Sequence, residues 1–273
     1  MPFADTDGIV LNYRIDGGDG LPLLVLSNGL GLDFSMWDSQ IPALVREFRV
    51  LRYDTRGHVA SSTGSAPISI DRLGRDVLAL LDRAGATRMH FCGLSMGGMI
   101  GMWLGIHAPQ RLHGLVLAHT AAHIGPQTMW NARIDTVNSK GMKAISDAAM
   151  TRWFTTGFIA RQPGIVGAMK ASMERCSAQG YTRCCAAVRD ADFRNAVARI
   201  KTRTLIISGK QDIATTPADA RYLAQQIAGS EAVELDSAHL SNIERSPEFT
   251  QSLCAFLRKE GASTPTQRSI GLR

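Results

Sequence analysis

The residues most able to do chemistry in this 273-residue sequence are a serine between glycines, followed later by an aspartate and a histidine. Ser95 lies in Gly93-Leu94-Ser95-Met96-Gly97, between the apolar run Met89 to Cys92 and a segment with helical spacing of apolar residues. A nucleophilic serine on a sharp turn from strand to helix needs very small residues two positions before and after it, because those positions press against neighbouring backbone. The spacing therefore predicts that Ser95 is a nucleophile on such a turn rather than part of a chance glycine-rich loop.

A serine hydroxyl attacks weakly at neutral pH, so it needs a base within hydrogen-bond reach, and that base needs an acid to fix its tautomer. His239 is the predicted base, because it follows the last strand-like run, where the chain passes the carboxyl edge of the sheet. The remaining histidines fit this role less well and are interpreted as structural or surface residues: His58, His90, His107, His113, His119 and His123.

Two aspartates are candidates for the acid. Asp212 follows the strand-like run Thr204 to Ile207 and gives the chain order serine, aspartate, histidine that this turn motif requires. Asp236 is the alternative, but it comes only three residues before His239, which leaves its carboxylate little slack to reach the ring. Its other interpretation is a turn residue at the end of a strand. Chain order therefore favours Asp212.

The reaction of a serine with an acyl group also needs two donors for the oxyanion of the tetrahedral intermediate, and backbone amides can supply them. The amide of Met96, the residue after the nucleophile, is one predicted donor. The amide of Leu30 is the other, since it lies in Ser27-Asn28-Gly29-Leu30-Gly31, after the first core strand. The alternative interpretation of this glycine-containing segment is a plain turn.

Short apolar runs that alternate with helix-patterned segments must position these residues. This alternation predicts an α/β fold with a mostly parallel central sheet flanked by helices. The predicted core strands are Leu23 to Leu26, Phe48 to Tyr53, Met89 to Cys92, Leu115 to Ala118, Thr204 to Ser208 and Ala232 to Leu235, and the predicted helices between them include Leu73 to Ala84 and Met99 to His107. Ile9 to Ile15, followed by the loop Asp16 to Gly20, resembles an antiparallel entry hairpin.

The strand pattern stops between residues 122 and 199, where helical spacing with glycine and proline punctuation takes over. We therefore predict a discontinuous core of residues 1–121 and 200–261, with a helical cap over residues 122–199. Residues 262–273 are small and polar and are predicted to form a flexible tail.

Composition narrows the class of protein. The net charge of +6 comes from lysines and arginines scattered among acidic residues, so it indicates attraction of small anionic substrates rather than nucleic acid binding. The five cysteines are odd in number and lack the spacing of a disulfide framework or a zinc site. No apolar run is long enough to span a membrane and the start does not resemble a leader, which predicts a cytoplasmic protein. The sequence leaves open whether the chain forms a homo-oligomer.

Several motifs carry a resemblance to a known family. In the core they are Asn28 to Gly31, Arg52 to His58, Gly93 to Gly98, Ser208-Gly209 with Asp212, and Ala238 to Glu244, and in the cap they are Trp130 to Arg133, Arg152 to Phe154, and Gly180 to Ala187. Together they resemble the α/β-hydrolase superfamily and, within it, the 3-oxoadipate enol-lactonases. The sequence departs from such families after His58, where Val59 replaces a residue that is usually small, so we expect a locally altered loop.

The resemblance implies that Ser95 attacks the carbonyl of an enol-lactone while His239 takes its proton, and that water then releases 3-oxoadipate from the acyl-enzyme. Such a substrate carries a free carboxylate, which a mostly apolar pocket must bind with a cation or with donors. Arg133, helped by Trp130 or Trp153, is predicted to supply this contact. The alternative for Arg133 is a solvated residue on the cap surface.

Other functions on the same scaffold stay open. General carboxylesterases, cofactor-free haloperoxidase-like hydrolases and carbon–carbon bond hydrolases use the same triad. A haloalkane dehalogenase is disfavoured because it needs a carboxylate at position 95. A ligand receptor is the alternative outside enzymes, and a missing triad residue would favour it, whereas Ser95, Asp212 and His239 are all present. Nothing in the sequence calls for a metal, nucleotide or flavin, so no cofactor is predicted.

Overall fold

The computed structural model of the protein describes residues 3–6 and 8–259. The tail predicted to be flexible, residues 262–273, lies outside the described residues. Within the described part, eight strands form one sheet. The strands are β1 (Phe3–Thr6), β2 (Ile9–Asp16), β3 (Leu23–Ser27), β4 (Arg49–Tyr53), β5 (Met89–Leu94), β6 (Leu112–Ala118), β7 (Thr204–Gly209) and β8 (Glu231–Leu235). Each of the six predicted core strands overlaps one of β3 to β8.

The sheet has the strand order β1-β2-β4-β3-β5-β6-β7-β8, and every pairing from β4 to β8 is parallel. The central strands β3, β5 and β7 are buried along their whole length, as expected for parallel strands covered on both faces, whereas the edge strand β8 alternates in burial. The predicted α/β class with a mostly parallel sheet is confirmed.

The entry hairpin is formed differently from the prediction. β2 is antiparallel, but its partners are the preceding strand β1 and the more distant strand β4. The loop Asp16 to Gly20 leads instead into β3, which pairs with β4 and β5 rather than folding back on β2. Gly17 has a φ of +98° and lies against the carbonyl of Phe48, so this loop serves to cross over β4 rather than to close a hairpin.

Helices flank this sheet. The α-helices are α1 (Ile41–Leu44), α2 (Ile70–Arg83), α3 (Met96–His107), α4 (Gln127–Lys140), α5 (Lys143–Trp153), α6 (Thr156–Arg161), α7 (Pro163–Glu174), α8 (Ala178–Asp190), α9 (Pro217–Gln226), α10 (Ser241–Glu244) and α11 (Ser246–Arg258). α2 begins before the predicted Leu73, because the hydroxyl of Ser69 accepts the N–H of Arg72 and caps the first turn. α3 is buried from Met96 to Ile106, which explains its unbroken run of apolar and small residues.

The helices α4 to α8 come between β6 and β7 in the chain, within the segment named the cap. One contact between cap and core is backbone against backbone. A Cβ built on Gly57, which follows β4 and has a φ of +77°, would lie 2.7 Å from the Cα of Gly180 in α8. A Cβ on Gly180 would lie 2.0 Å from the carbonyl oxygen of Gly57. Only glycine fits at either position, so this close approach fixes where α8 rests on the core.

The loop after Gly57 contains the residue that departs from the family pattern. Val59 has a φ of +38°, in a region that β-branched residues rarely adopt. The loop is fastened to β2 beyond this point, because the hydroxyl of Ser61 accepts the N–H of Asn12 at 2.9 Å and that of Ser62 accepts the N–H of Val10 at 2.8 Å.

Among the helices in the described ranges, none has both the length and the apolar character that crossing a bilayer requires.

Candidate active site

The carboxyl ends of four neighbouring strands converge on one region of the sheet edge. Ser95 follows β5, His119 follows β6, and Asp212 and His239 lie in the loops after β7 and β8. Because β5, β6, β7 and β8 are parallel and adjacent, residues just beyond their ends are brought together although they are far apart in the chain. The site is therefore a product of the sheet topology.

Ser95 lies on a sharp turn between β5 and α3, with a φ of +58°. The predicted crowding around this turn is present. A Cβ on Gly93 would lie 2.0 Å from the carbonyl oxygen of Gly97, and a Cβ on Gly97 would lie 2.3 Å from that of Ser27. The turn is held by the Ser95 N–H, which donates to Ala118 in β6 at 2.9 Å. Its strained backbone thus presents the hydroxyl at the start of a helix.

Asp212 and His239 are in direct contact. Nδ1 of His239 lies 2.8 Å from Oδ2 of Asp212, and both side chains are almost completely buried. Oδ1 of Asp212 accepts the N–H groups of Ala214 and Thr215, at 2.8 and 3.0 Å. Nδ1 of His239 faces an acceptor, so the neutral ring carries its proton there and leaves Nε2 free to act as a base.

The electrostatics of this pair favour an ionised acid. Burial by itself would raise the pKa of Asp212, but the electrostatic interaction with His239 and hydrogen bonds from His119 and His239 outweigh burial and hold the pKa well below its usual range. Asp212 is therefore a carboxylate at neutral pH, able to stabilise a positive charge that develops on His239.

Asp236, the alternative acid, points away from His239. Its carboxylate accepts from Nε2 of Gln211 at 3.3 Å and lies 3.4 Å from a guanidinium nitrogen of Arg245. Asp236 is exposed. Its position agrees with the interpretation as a residue at the end of a strand.

The loop after β3 places the other predicted oxyanion donor. Leu30 lines the same cavity as Ser95 and Met96. Met96 is the first residue of α3, and the first N–H groups of a helix have no acceptor within it. The Asn28 side chain, given no role by the sequence analysis, fastens this loop, because it donates to the carbonyl of Tyr53 at 2.9 Å and accepts from the indole of Trp37 at 2.9 Å.

A second histidine also holds this loop. Nε2 of His58 accepts the N–H of Gly31 at 2.8 Å, and Nδ1 lies 3.3 Å from the carbonyl of Arg56. Burial lowers the pKa of His58 to about 4, so the ring is neutral at physiological pH and can accept this hydrogen bond. The residue next to Leu30 is thus fixed by a side chain from the loop after β4.

A cavity of about 300 Å³ lies between this edge and the cap. Its core side includes Gly29, Leu30, Ser95, Met96, Thr215 and His239, and its cap side includes Trp130, Arg133, Arg152, Trp153 and Tyr181. The structure therefore brings the predicted residues Arg133, Trp130 and Trp153 to the same cavity as the serine. Nε2 of His239 and the hydroxyl of Ser95 make no hydrogen bond to any described residue, which leaves both available to a ligand.

Two arginines line the cap wall of the cavity. The guanidinium carbon of Arg133 is 4.6 Å from the centre of the Trp130 ring. Arg152, which the sequence analysis did not single out, also lines the cavity, and burial together with the charge of Arg133 lowers its pKa. Arginine nevertheless keeps its proton in proteins, so both carry a positive charge. Within residues 8–259, neither forms an ion pair with an acidic side chain.

Sequence reasoning also missed His119, which was interpreted as structural or surface. Its Nδ1 lies 2.9 Å from Oδ2 of Asp212 and its Nε2 lies 2.6 Å from the hydroxyl of Ser241. His119, Asp212 and His239 offer ligand atoms within 4.8 Å of one another, as a metal site would. Both Nδ1 atoms and Oδ2 are already engaged in N–H to carboxylate hydrogen bonds, so a metal would have to replace the contacts that orient the base.

Comparisons with known proteins agree with this geometry. Residues 22–140 match the sequence profile of the α/β hydrolase fold family. The chain is 42% identical to "3-oxoadipate enol-lactonase 2" of Acinetobacter baylyi, over 94% of this chain and 97% of that protein. It is 37% identical to "3-oxoadipate enol-lactonase 1" of the same organism, over 93% and 96%. It is also similar to the crystal structure of the enol-lactonase from Burkholderia xenovorans LB400, with a TM-score of 0.93 and 44% identity over 94% of this chain and all of that chain.

Proposed function

The chain belongs to the α/β-hydrolase family, and from this membership and its active-site geometry we propose that it hydrolyses 3-oxoadipate enol-lactone to 3-oxoadipate through an acyl-enzyme on Ser95. The observation that carries the proposal is the cavity itself. It combines the serine and its base with two cap arginines, Arg133 and Arg152, that lack an acidic partner within residues 8–259. A small lactone with one carboxylate offers a carbonyl carbon for Ser95 to attack and a negative charge for the two arginines to bind.

The first half of the reaction opens the ring. His239 takes the proton of the Ser95 hydroxyl as its oxygen bonds to the lactone carbonyl, and the carbonyl oxygen becomes an oxyanion held by the amides of Leu30 and Met96. The bond between the acyl carbon and the ring oxygen then breaks, and the departing enol oxygen takes the proton from His239. The acyl group stays on Ser95.

The leaving group is still tethered to the acyl chain, so it could attack again. Its enol form, however, can convert to a ketone, which is a much weaker nucleophile and favours the forward direction. A water molecule gives a proton to His239 and attacks the acyl carbon, after which the proton returns to the Ser95 oxygen and 3-oxoadipate leaves.

The cap provides the selectivity in this proposal. Trp130 and Trp153 are buried and supply apolar wall, while the guanidinium groups of Arg133 and Arg152 bind the carboxylate of the substrate. The division into a core of residues 1–121 and 200–261 and a cap of residues 122–199 is part of the proposal, with the cap as the part that selects the substrate. So is a cytoplasmic location, which fits the five buried thiols of the chain.

The test is a steady-state assay of 3-oxoadipate enol-lactone beside p-nitrophenyl acetate, with Ser95→Ala as the control. We expect a kcat/KM for the lactone at least about a hundredfold above that for the ester, because only the lactone uses the arginines. Preference for the simple ester would indicate a carboxylesterase instead. Activity that survives in Ser95→Ala would refute the mechanism, and the absence of both activities in the intact chain would favour a receptor.

A further inference from the structure

We propose that His119 is a positioning residue for the reaction, which holds the carboxylate of Asp212 in place and through it the ring of His239. This inference rests on the proposed function only in taking His239 as the base. His119 is 1% exposed and does not line the cavity, so it acts through Asp212 rather than on the substrate.

The backbone at His119 directs the side chain of this residue toward Asp212. The residue directly follows β6, which lies between the strand that carries Ser95 and the strand that leads to Asp212. Its φ is +46°, a conformation that is uncommon for a residue other than glycine, and its N–H donates to the carbonyl of Ile207 in β7 at 2.8 Å. Such strain persists only where the surroundings hold it in place, and it clusters at functional sites.

Hydrogen bonding fixes the tautomer of His119. Oδ2 of Asp212 accepts from Nδ1 of His119 at 2.9 Å, from Nδ1 of His239 at 2.8 Å and from the hydroxyl of Thr215 at 3.0 Å. An ionised carboxylate can only accept, so each ring carries a proton on Nδ1. The remaining nitrogen of His119 then accepts the hydroxyl proton of Ser241 at 2.6 Å.

The charges around His119 agree with a neutral ring. Burial lowers its pKa and His239 adds to this effect, whereas the carboxylates of Asp212 and Glu244 oppose it. A neutral ring with the proton on Nδ1 is a donor of fixed direction. It therefore limits rotation of the Asp212 carboxylate and takes a share of the negative charge on Oδ2, which leaves less of that charge to act on His239.

Removing this donor has two separate consequences. The carboxylate gains freedom, so His239 spends less time in the orientation that accepts the serine proton, and kcat falls. More of the carboxylate charge then acts on His239, which stays protonated to a higher pH, so the acid limb of kcat/KM moves upward. Loss of packing alone would not move this limb.

The experiment compares His119→Leu with His119→Asn in the full chain, with p-nitrophenyl acetate as the substrate. Nδ2 of asparagine can occupy the place of the ring Nδ1, and asparagine tolerates a positive φ. We expect His119→Leu to lower kcat by about tenfold or more with KM within about twofold, and to move the acid limb upward. His119→Asn should recover most of the rate and the original limb. His107→Leu, on the exposed end of α3, is the matched control and should behave as the unmodified enzyme.

Equal losses in His119→Leu and His119→Asn, or an acid limb unmoved in His119→Leu, would overturn the inference. Should His119→Leu fail to fold, ¹⁵N NMR of the unmodified enzyme labelled at histidine decides, with His119→Asn used for assignment. A proton on Nδ1 of His119 supports the inference, and a proton on Nε2 overturns it. Hydrolysis that survives in Ser95→Ala would instead refute the proposed function, and with it any catalytic role for His119.

Discussion

Oδ2 of Asp212 lies 2.8 Å from Nδ1 of His239, although the two residues are 27 positions apart in the chain. The aspartate nearest to His239 in sequence, Asp236, is occupied on the surface by Gln211 and Arg245 instead. The strand order therefore determines which aspartate contacts His239, because β7 and β8 are adjacent and the loops that follow them meet at one edge of the sheet.

Asp212→Asn should lower kcat by about a thousandfold to ten-thousandfold, because an amide in place of the carboxylate favours the wrong tautomer of His239. The matched variant Asp236→Asn should retain kcat within about twofold, since its side chain lies outside the site. Steady-state hydrolysis of p-nitrophenyl acetate measures both. A large loss in Asp236→Asn with little loss in Asp212→Asn would reverse the assignment.

Arg133→Met and Arg152→Met should each raise KM for the enol-lactone by about tenfold to a hundredfold, the usual effect of losing a hydrogen bond to a charged group. The change for the uncharged p-nitrophenyl acetate should be much smaller, because that ester has no carboxylate to bind. Arg161→Met, on the exposed end of α6, is the control for the loss of a cap charge. An unchanged KM in both cavity variants would show that the arginines do not bind the substrate.

Val59→Gly should stabilise the protein by about 1 kcal/mol, because it relieves a strained positive φ at the cost of greater freedom in the unfolded chain. Val10→Gly is the matched control: Val10 is similarly exposed but lies in the regular strand β2, so its replacement should destabilise the protein by about 1 kcal/mol. Denaturant unfolding at one pH gives both values. If Val59→Gly destabilises as much as Val10→Gly, the strain is absent.

Acid should weaken the fold through His58. Burial lowers the pKa of this side chain from 6.5 to about 4, so the unfolded chain binds a proton in this interval that the folded chain does not. The free energy of unfolding should consequently fall as the pH drops from about 6.5 to about 4, with His58 contributing on the order of 3 kcal/mol. Well above pH 6.5 the ring of His58 is neutral in both the folded and the unfolded chain, so it then causes no loss of stability.

His58→Gln tests the source of this effect, because the amide oxygen can still accept the N–H of Gly31 but does not titrate. Denaturant unfolding at pH 7 and pH 5 should show a smaller acid loss in the variant than in the unmodified protein. Some acid loss should persist, since burial also lowers the pKa of His90 to about 4. An identical difference between the two pH values in variant and parent would rule out His58 as the cause.

Much of the fold could be predicted from the sequence because parallel strands buried on both faces are continuous apolar runs, and the six core strands have this form. Ser95 could be found because its neighbours are subject to a steric requirement that only glycine meets. β1 was missed because four residues at a sheet edge carry no such run, and the hairpin was misassigned because an Asp-Gly loop can also lead across a neighbouring strand.

Two further residues of the site, His119 and Arg152, were not predicted because they depend on contacts that no local pattern encodes. His119 and Asp212 are 93 residues apart, and only the adjacency of β6 and β7 brings them together. Once a strand order is assumed, that adjacency is the signal that could have identified His119. Arg152 carried no local signal, because one arginine on an amphipathic helix resembles any other until the opposite wall of the cavity is known.

The contact between Gly57 and Gly180 has a consequence for substrate choice. Because the two backbones are already in contact there, α8 cannot lie closer to the core. The depth of the cavity on this side is therefore set by two residues that have no side chains. Tyr181, which follows Gly180 in α8, is part of the cavity wall. Because even the methyl group of alanine at position 57 or 180 would overlap the opposite backbone, the two glycines fix the distance of this wall from the catalytic residues, although neither of them lines the cavity.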